Sequence, residues 1–444
     1  MGSIRQNRKD AYANALLKWI LGFAPPAPKK ATLQPNPTSK PKPQQLTLEL
    51  KPVQIQLTAA KPIELRDYQK QALEEFLKRK RGTIQMATST GKTFVALAAI
   101  KTLKLPTLIV VPTIAILKQV WLRRLKEAGI SPGVFYGEKK QLTPVLVTTY
   151  HSASLHPEII GNYKFVVFDE AHHTKADVWG KLLEYTKSTP YVLGLTATLG
   201  RRFDPKTLKV TRHLPVIFSY EIYEARKHGW VAPIQVFSVP VEMNLQERVK
   251  YEDYCEIIRR TAWQLGTTDP TVWAKLAASG NPTAKKGLWA MAKRRTLLSS
   301  IEAKFPAVLN IVRQNPNKKT LLFSEAIASI EKLKTYLRQN KIQCDVYHSK
   351  QPKNQRDIIL KAWEQGQFPV LLSCTALEEG LDVKSAEVGI FLASGKSPRK
   401  IKQRIGRILR YMPGKIAQIY VIWCKGTIER DILTAVEQAI WKIK

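Results

Sequence analysis

The stretch Gln85-Met86-Ala87-Thr88-Ser89-Thr90-Gly91-Lys92-Thr93 decides how this chain is read. It follows a short apolar strand and leads into an apolar helical run, Phe94 to Ile100. Glycine, lysine and threonine in that order, between a strand and a helix, suit a loop wrapped around phosphates. Backbone N–H groups and a helix N-terminus face the anion, Lys92 reaches the outer phosphates, and Thr93 holds Mg²⁺. The spacing is imperfect, because the place where a small residue usually stands is Met86. Taken alone, the stretch fits an ordinary strand-to-helix turn equally well, and the flanking sequence has to decide.

The chain has 444 residues, enough for two or three domains, and is 44% hydrophobic, enough for large cores. No run of 18 apolar residues suggests a membrane span. Lys and Arg number 71 against 35 Asp and Glu, a formal net charge of +36. That excess favours a polyanionic partner, most simply nucleic acid, although a membrane-surface role or a basic proteome can mimic it. Cys255, Cys344, Cys374 and Cys424 are far apart with no CxxC pair. A zinc knuckle or disulfide framework is therefore not expected, and a reducing, cytoplasmic setting is.

The first sixty-one residues form an arm. Asp10 to Phe23 fits one short helix with a greasy patch at Leu16, Leu17, Trp19, Ile20 and Leu21. Asn14 and Lys18 interrupt it too often for a signal peptide. Ala24 to Gln45 is Pro- and Lys-rich, the composition of a stiff, extended linker, and Leu46–Leu50 and Val53–Leu57 alternate with period two like a hairpin. The helix suits a docking peptide for a protein partner, or equally an end folded back on the body.

Beyond the arm, Leu65-Arg66-Asp67-Tyr68-Gln69 reads as a loop entering a helix, and the Gln69 amide has the donor–acceptor fork that fits adenine. Thr107–Val111, ending in Pro112-Thr113, and Pro144–Val147, ending in Thr148-Thr149-Tyr150, are short, β-branched and uncharged, as strands buried on both faces of a parallel sheet should be. Phe165-Val166-Val167-Phe168 then runs straight into Asp169-Glu170-Ala171-His172. Opposite a phosphate loop, Asp169 suits a Mg²⁺ bound through water, and Glu170 suits orienting and deprotonating an attacking water. Leu193-Gly194-Leu195-Thr196-Ala197-Thr198 is another strand ending in small hydroxyls.

The loop at Lys92, the Asp169-Glu170-Ala171-His172 box and Thr196-Ala197-Thr198, in this order, resemble the superfamily 2 helicases and translocases of DEAH type. The strand–helix alternation restarts at Lys319–Glu325, Asp345–Ser349 and Pro369–Thr375 with no second phosphate loop. Thr375-Ala376-Leu377-Glu378-Glu379-Gly380-Leu381-Asp382 resembles the family's fifth motif, and Gln403-Arg404-Ile405-Gly406-Arg407-Ile408-Leu409-Arg410 its sixth. The three arginines recur every third residue and should share one face of a helix. Between the halves, Glu242 to Lys304 is helical in pattern and carries Trp263, Trp273, Trp289 and Lys293-Arg294-Arg295. The tryptophans either pack a small core of their own or meet nucleic acid, and the position matches the thumb of XPB-like DNA translocases.

The resemblance implies an α/β fold of two RecA-like parallel-sheet lobes with a helical insert. Its expected divisions are an arm over 1–61, an ATP-binding lobe over 62–241, the insert over 242–304 and a second lobe over 305–444. It implies an ATP- and Mg²⁺-dependent motor on nucleic acid, DNA favoured over RNA. Lys92, Glu170, Gln403, Arg407 and Arg410 are then catalytic, and Gln69, Ser89, Thr90, Gly91, Lys92, Thr93 and Asp382 hold the nucleotide. Thr93 and Asp169 hold the metal. Pro112, Thr113, Thr149, Tyr150, Ser324, His348 and Thr375 touch nucleic acid, and His172, Thr196 and Thr198 couple the two activities. The chain departs from the family at Ser89, where glycine is usual, and shows no evident Arg-Glu-Asp loop after Thr198.

Overall fold

The computed structural model describes residues 62–200, 204–374, 386–392, 398–410, 412 and 414–441. The N-terminal arm and the fifth-motif loop with Thr375 and Asp382 lie outside the described residues. None of the four cysteines forms a disulfide. Among the described residues no helix is long and apolar enough to cross a membrane.

The first lobe contains α1 (Asp67–Arg79), β1 (Arg81–Met86), α2 (Lys92–Leu103), β2 (Thr107–Val111), β3 (Gly133–Tyr136), β4 (Lys139–Gln141), β5 (Val145–Thr149), β6 (Phe165–Asp169), β7 (Tyr191–Thr196), β8 (Val216–Tyr220) and α3 (Ile222–Lys227). The strands form one sheet in the order β4-β3-β5-β2-β6-β7-β1-β8. The pairings are parallel except at the edge, where β4 returns antiparallel to β3. β2, β5 and β6 are buried along their whole length, which is why their sequences are unbroken apolar runs. β4 is exposed throughout and carries Lys139 and Lys140, charges that discourage another chain from pairing there. Helix α2 is apolar on every side, with Val95 through Ile100 all buried.

The second sheet has the order β11-β12-β10-β13-β14-β9, from β9 (Ile234–Val241), β10 (Thr320–Ser324), β11 (Cys344–His348), β12 (Val370–Cys374), β13 (Val388–Phe391) and β14 (Ala417–Cys424). This corrects the expected division at 241. β9 precedes the insert in the chain yet lies beside β14, with the rings of Phe237 and Tyr420 stacked at 4.6 Å. The backbone N–H of Ala417 donates to Pro233 O at 2.7 Å at the same edge. The chain thus joins the second lobe by one strand before it leaves for the insert.

The described residues from Val241 to Pro306 form a compact unit of their own. Its helices are α4 (Leu245–Leu265), α5 (Pro270–Ala278) and α6 (Pro282–Ser299). Each starts at a side-chain cap: Asn244 in a reciprocal box with Glu247, then Asp269 and Asn281, each followed by proline at the first helical position. Trp273 is buried against Ala274, Ala277, Ala284 and Leu288, and its Nε1 donates to Thr267 O at 2.9 Å. Trp263 is 85% exposed and Trp289 42% exposed. The tryptophans therefore divide: one is core and two face outward. In the second lobe, the helices after β10, β11, β13 and β14 are α7 (Ile327–Gln339), α8 (Lys353–Glu364), α9 (Pro398–Ile408) and α10 (Arg430–Trp441).

Removing the buried ring should be felt where removing the exposed one is not. Trp273→Ala is expected to destabilise the insert by about 3–5 kcal/mol, and Trp263→Ala to change stability by less than about 0.5 kcal/mol. Urea denaturation of the full chain followed by circular dichroism measures both; equal losses would contradict the assigned packing.

Candidate active site

A cavity of about 410 Å³ receives residues from both sheets of the larger unit. From the first come the loop Thr88–Ser89, Lys92, Thr93, Asp169 and Glu170; from the second, Arg407 and Arg410. Strand order explains the meeting. β6, which ends in the carboxylates, and β1, which feeds the loop, flank β7, which ends in Thr196. Their C-terminal ends open into one crevice.

The loop turns into α2 through Gly91, whose φ of +84° only glycine adopts at no cost, and a Cβ there would collide with Gln69 Nε2. Tyr68 Oη and Gln69 Nε2 each donate to Thr90 O at 2.9 Å, and the Arg66 backbone N–H donates to Gln69 Oε1 at 2.9 Å. Both ends of the Gln69 amide are thus engaged with backbone, so here Gln69 braces the loop, and it does not line the cavity. Arg66 and Trp230 do line it, the guanidinium 4.5 Å from the ring centroid. Neither stood out in the sequence. Thr90 turns its hydroxyl back to Ala87 O at 2.7 Å.

Lys92 Nζ donates to Met86 O at 3.0 Å. Burial lowers its pKa, opposed by the charges of Glu170 and Asp169 and reinforced by Arg407. Asp169 Oδ2 accepts from Trp121 Nε1 at 2.7 Å and Oδ1 from the Glu170 backbone N–H at 3.0 Å. Burial and the neighbouring Glu170 charge push the Asp169 carboxyl up to about 6, against the pull of Trp121 and Lys92. Burial also works to raise Glu170, but the His172 ring and Lys92 hold it down to about 2. The two carboxyls are thus pushed apart, Asp169 upward by burial and Glu170 downward by its cationic neighbours. Trp121 comes from Leu117–Leu122, a turn of π-helix, a widening that often marks functional positions. His172 Nδ1 is 3.3 Å from Glu170 Oε2 and 3.1 Å from Thr196 Oγ1, while the Thr198 backbone N–H donates to Thr196 Oγ1 at 3.2 Å. Of the three residues expected to couple, His172 lies beside the carboxylate, Thr196 meets the His172 ring, and Thr198 meets Thr196.

The donor set bears on what the cavity accepts. Thr88 Oγ1 is buried without a hydrogen-bond partner. Among the described residues no group of three or more His, Cys, Asp or Glu could cage a metal. Thr93 and Asp169 line the same cavity, the sparse oxygen set that suits Mg²⁺ when phosphates and water supply its remaining ligands.

Other expectations need correction. Helix α9 ends at Ile408, so Arg410 lies beyond it and does not share its face with Arg404 and Arg407. The carbonyls at its end are met from elsewhere: Lys415 Nζ donates to Ile408 O at 2.5 Å and to Arg410 O at 3.2 Å. Burial lowers the Lys415 ammonium to about 8. Arg404 is buried, its guanidinium 5.5 Å from the centroid of Phe323, and Gln403 is buried one helical turn behind Arg407. Neither is among the cavity-lining residues.

The expected nucleic-acid contacts fare unequally. Tyr150 is wholly buried, donates its hydroxyl to Asp169 O at 3.0 Å and stacks on Trp179; it supports the carboxylate strand and offers no surface. Ser324 is also wholly buried, and His348 is nearly so, with Nε2 3.0 Å from Glu331 Oε1. Thr113 and Thr149 act as helix caps, accepting from Ile116 N at 3.2 Å and Ser152 N at 3.1 Å, and Pro112 is half-buried beside Thr113.

The family model described as the type III restriction enzyme res subunit matches residues 62–201, and that of the helicase conserved C-terminal domain matches 303–412. The chain is 30% identical over 375 residues to the DNA 3′-5′ translocase XPB2 of Sulfurisphaera tokodaii, covering 83% of each chain. It is 24% identical over 361 residues to the DNA 3′-5′ helicase XPB of Mycobacterium tuberculosis, covering 78% of this chain and 58% of that protein. The helicase domain of Pyrococcus furiosus Hef shares the fold, with a TM-score of 0.56 and 18% identity over 85% of this chain and 98% of that one.

A hydrogen bond donated to a carboxylate stabilises its charged form, so losing the Trp121 donor should leave Asp169 harder to ionise. In Trp121→Phe the Asp169 carboxyl is expected to titrate above the value of about 6 that it holds here. Carboxyl ¹³C NMR of the labelled protein measures this; an unchanged or lower value would show that Trp121 does not tune it.

Proposed function

Because this chain belongs to the XPB-like family of superfamily 2 helicases and translocases, we propose that it hydrolyses ATP between its two parallel-sheet lobes to travel along DNA in the 3′-to-5′ direction. The observation that carries the reading is the convergence of Lys92, the Asp169–Glu170 pair and Arg407 on one cavity from opposite sheets. Cations on two sides and an ionised carboxylate on a third suit transfer of a terminal phosphoryl group to water.

The roles follow from position. Lys92 and the loop N–H groups receive the outer phosphates, and the flat faces of Arg66 and Trp230 suit a purine at the edge of the same cavity. Mg²⁺, held by Thr93 and Asp169, would neutralise phosphate charge. Glu170, kept ionised beside His172, orients the attacking water and takes its proton. Arg407 and Arg410 steady the charge that develops on the transferred group, a contribution of about 10³–10⁵ in rate where such arginines have been removed from other enzymes. Asp382 at the ribose and Thr375 at the nucleic-acid backbone remain part of the proposal through the family resemblance.

DNA as the track is supported by the names of the relatives and by the formal charge of +36. The insert adds Lys293, Arg294 and Arg295 together with the exposed Trp263, groups that suit a phosphate backbone and a base. Closure and reopening of the lobes would alter the spacing of two DNA-holding surfaces and so produce a step.

Lys92→Ala and Glu170→Gln are each expected to lower DNA-stimulated ATP hydrolysis by more than about a hundredfold while duplex binding persists. Phosphate release measured with duplex, single-stranded and forked DNA and with RNA, beside binding by fluorescence anisotropy, makes the test. Full turnover in either variant would remove these residues from the mechanism, and stimulation by RNA alone would overturn the choice of track.

A further inference from the structure

The last turn of α9 carries Arg407, and carbonyls at a helix C-terminus run short of partners within the helix. One is capped from the opposite lobe. Ser89 Oγ, in the phosphate loop, donates to Gly406 O at 2.7 Å, across 317 positions of sequence. Gly406 permits the approach, since a Cβ there would collide with Thr88. Ser89 takes φ +70°, a left-handed backbone that glycine would adopt freely and serine resists. The loop thus holds a strained residue at the place where a hydroxyl reaches the arginine helix, and a glycine would relieve the strain but lose the donor.

A second link lies four residues earlier on the same helix. Lys402 Nζ pairs with Glu221 Oε2 at 2.6 Å, with the two side chains only 18% and 27% exposed. Glu221 Oε1 accepts from Gln85 Nε2 at 3.2 Å, and Gln85 Oε1 accepts from the Leu199 backbone N–H at 3.2 Å. Gln85 is on β1, and Leu199 follows the Thr196–Thr198 turn. A chain of polar contacts therefore runs from the arginine helix through the strand that feeds the phosphate loop to the turn that touches His172. Residues four apart share a helix face, so Lys402 and Gly406 together seat one face of α9 on the first lobe.

We propose that Ser89 and Lys402 are positioning residues that dock the arginine helix onto the phosphate loop and so set Arg407 against Lys92. The proposal rests on the ATPase reading above for its kinetic consequence, but the docking itself does not. Neither side chain acts on the reacting atoms; each acts through Arg407.

Two measurements on the full chain test it. In hydrogen–deuterium exchange without nucleotide, Ser89→Gly, Ser89→Ala and Lys402→Met should each speed exchange of the amides over residues 402–410 relative to wild type. Unchanged exchange would overturn the docking, whether or not the protein hydrolyses ATP. In DNA-stimulated hydrolysis, each of the three should lower kcat by about 3- to 10-fold, the effect of one lost hydrogen bond or partly buried pair, with KM for ATP within about twofold. Added to Arg407→Ala, Ser89→Ala should cost little more, and Lys402→Arg should restore most of the rate. A Ser89→Gly enzyme as fast as wild type or faster, or full additivity with Arg407→Ala, would overturn the positioning role. A wild-type protein without ATPase activity would instead overturn the function proposed above, leaving the exchange result to decide the docking.

Discussion

The structure depends on where a parallel sheet can tolerate charge. Strands buried on both faces have no room for ionised side chains along their length, so the charges gather at their C-terminal ends. In the first lobe that places Asp169 and Glu170 after β6, Thr196 at the end of β7 and Lys92 just after β1, on three neighbouring strands. The charges compensate one another at close range. Lys92 is desolvated but attracted by both carboxylates, Glu170 is kept ionised by His172 and Lys92, and Asp169 takes the burden of the repulsion. A site assembled this way is balanced for an anion that arrives with its own counter-charge, as a nucleotide does with its metal.

The second lobe supplies what the first lacks, and the manner of supply matters. A guanidinium is useful only if its helix stops at the right depth. Helix α9 ends at Ile408, and carbonyls of its last turn find partners from outside the helix: Lys415 from its own lobe and Ser89 from the other. The early crossing of β9 into the second sheet ties the lobes by a short connection, through Glu221 and the Ala232 N–H that donates to Leu409 O at 3.1 Å. Contacts that bridge two lobes in this way are candidates for the bistable element that a stepping motor needs.

Much of the fold was legible because buried strands leave a strong trace. Thr107–Val111, Phe165–Phe168 and Val370–Cys374 could be little else, and each lies at a strand in the structure. The hairpin β3–β4, and β8 and β13, were not anticipated, being short, partly polar or interrupted by glycine, with too few residues for a period to emerge. Among site residues, those whose place in the cavity is set by adjacent sequence were legible: Lys92 after its glycine, and Glu170 after its strand. Gln69 and Tyr150 meet surroundings that come from distant parts of the chain, and Trp121, Arg66 and Trp230 were overlooked for the same reason; Arg410 reaches the cavity but from beyond the end of α9.

By itself, then, the sequence determined two strand–helix lobes, the order of the chemical groups along them, and the partition of cation and carboxylate between strand ends, since all of these follow from local patterning. Tertiary structure alone decided that Ser89, a departure from the glycine usual in the phosphate loop, faces Gly406 across the cleft. A hydroxyl's partner depends on which backbone approaches it, and no local pattern records an approach made 317 positions away.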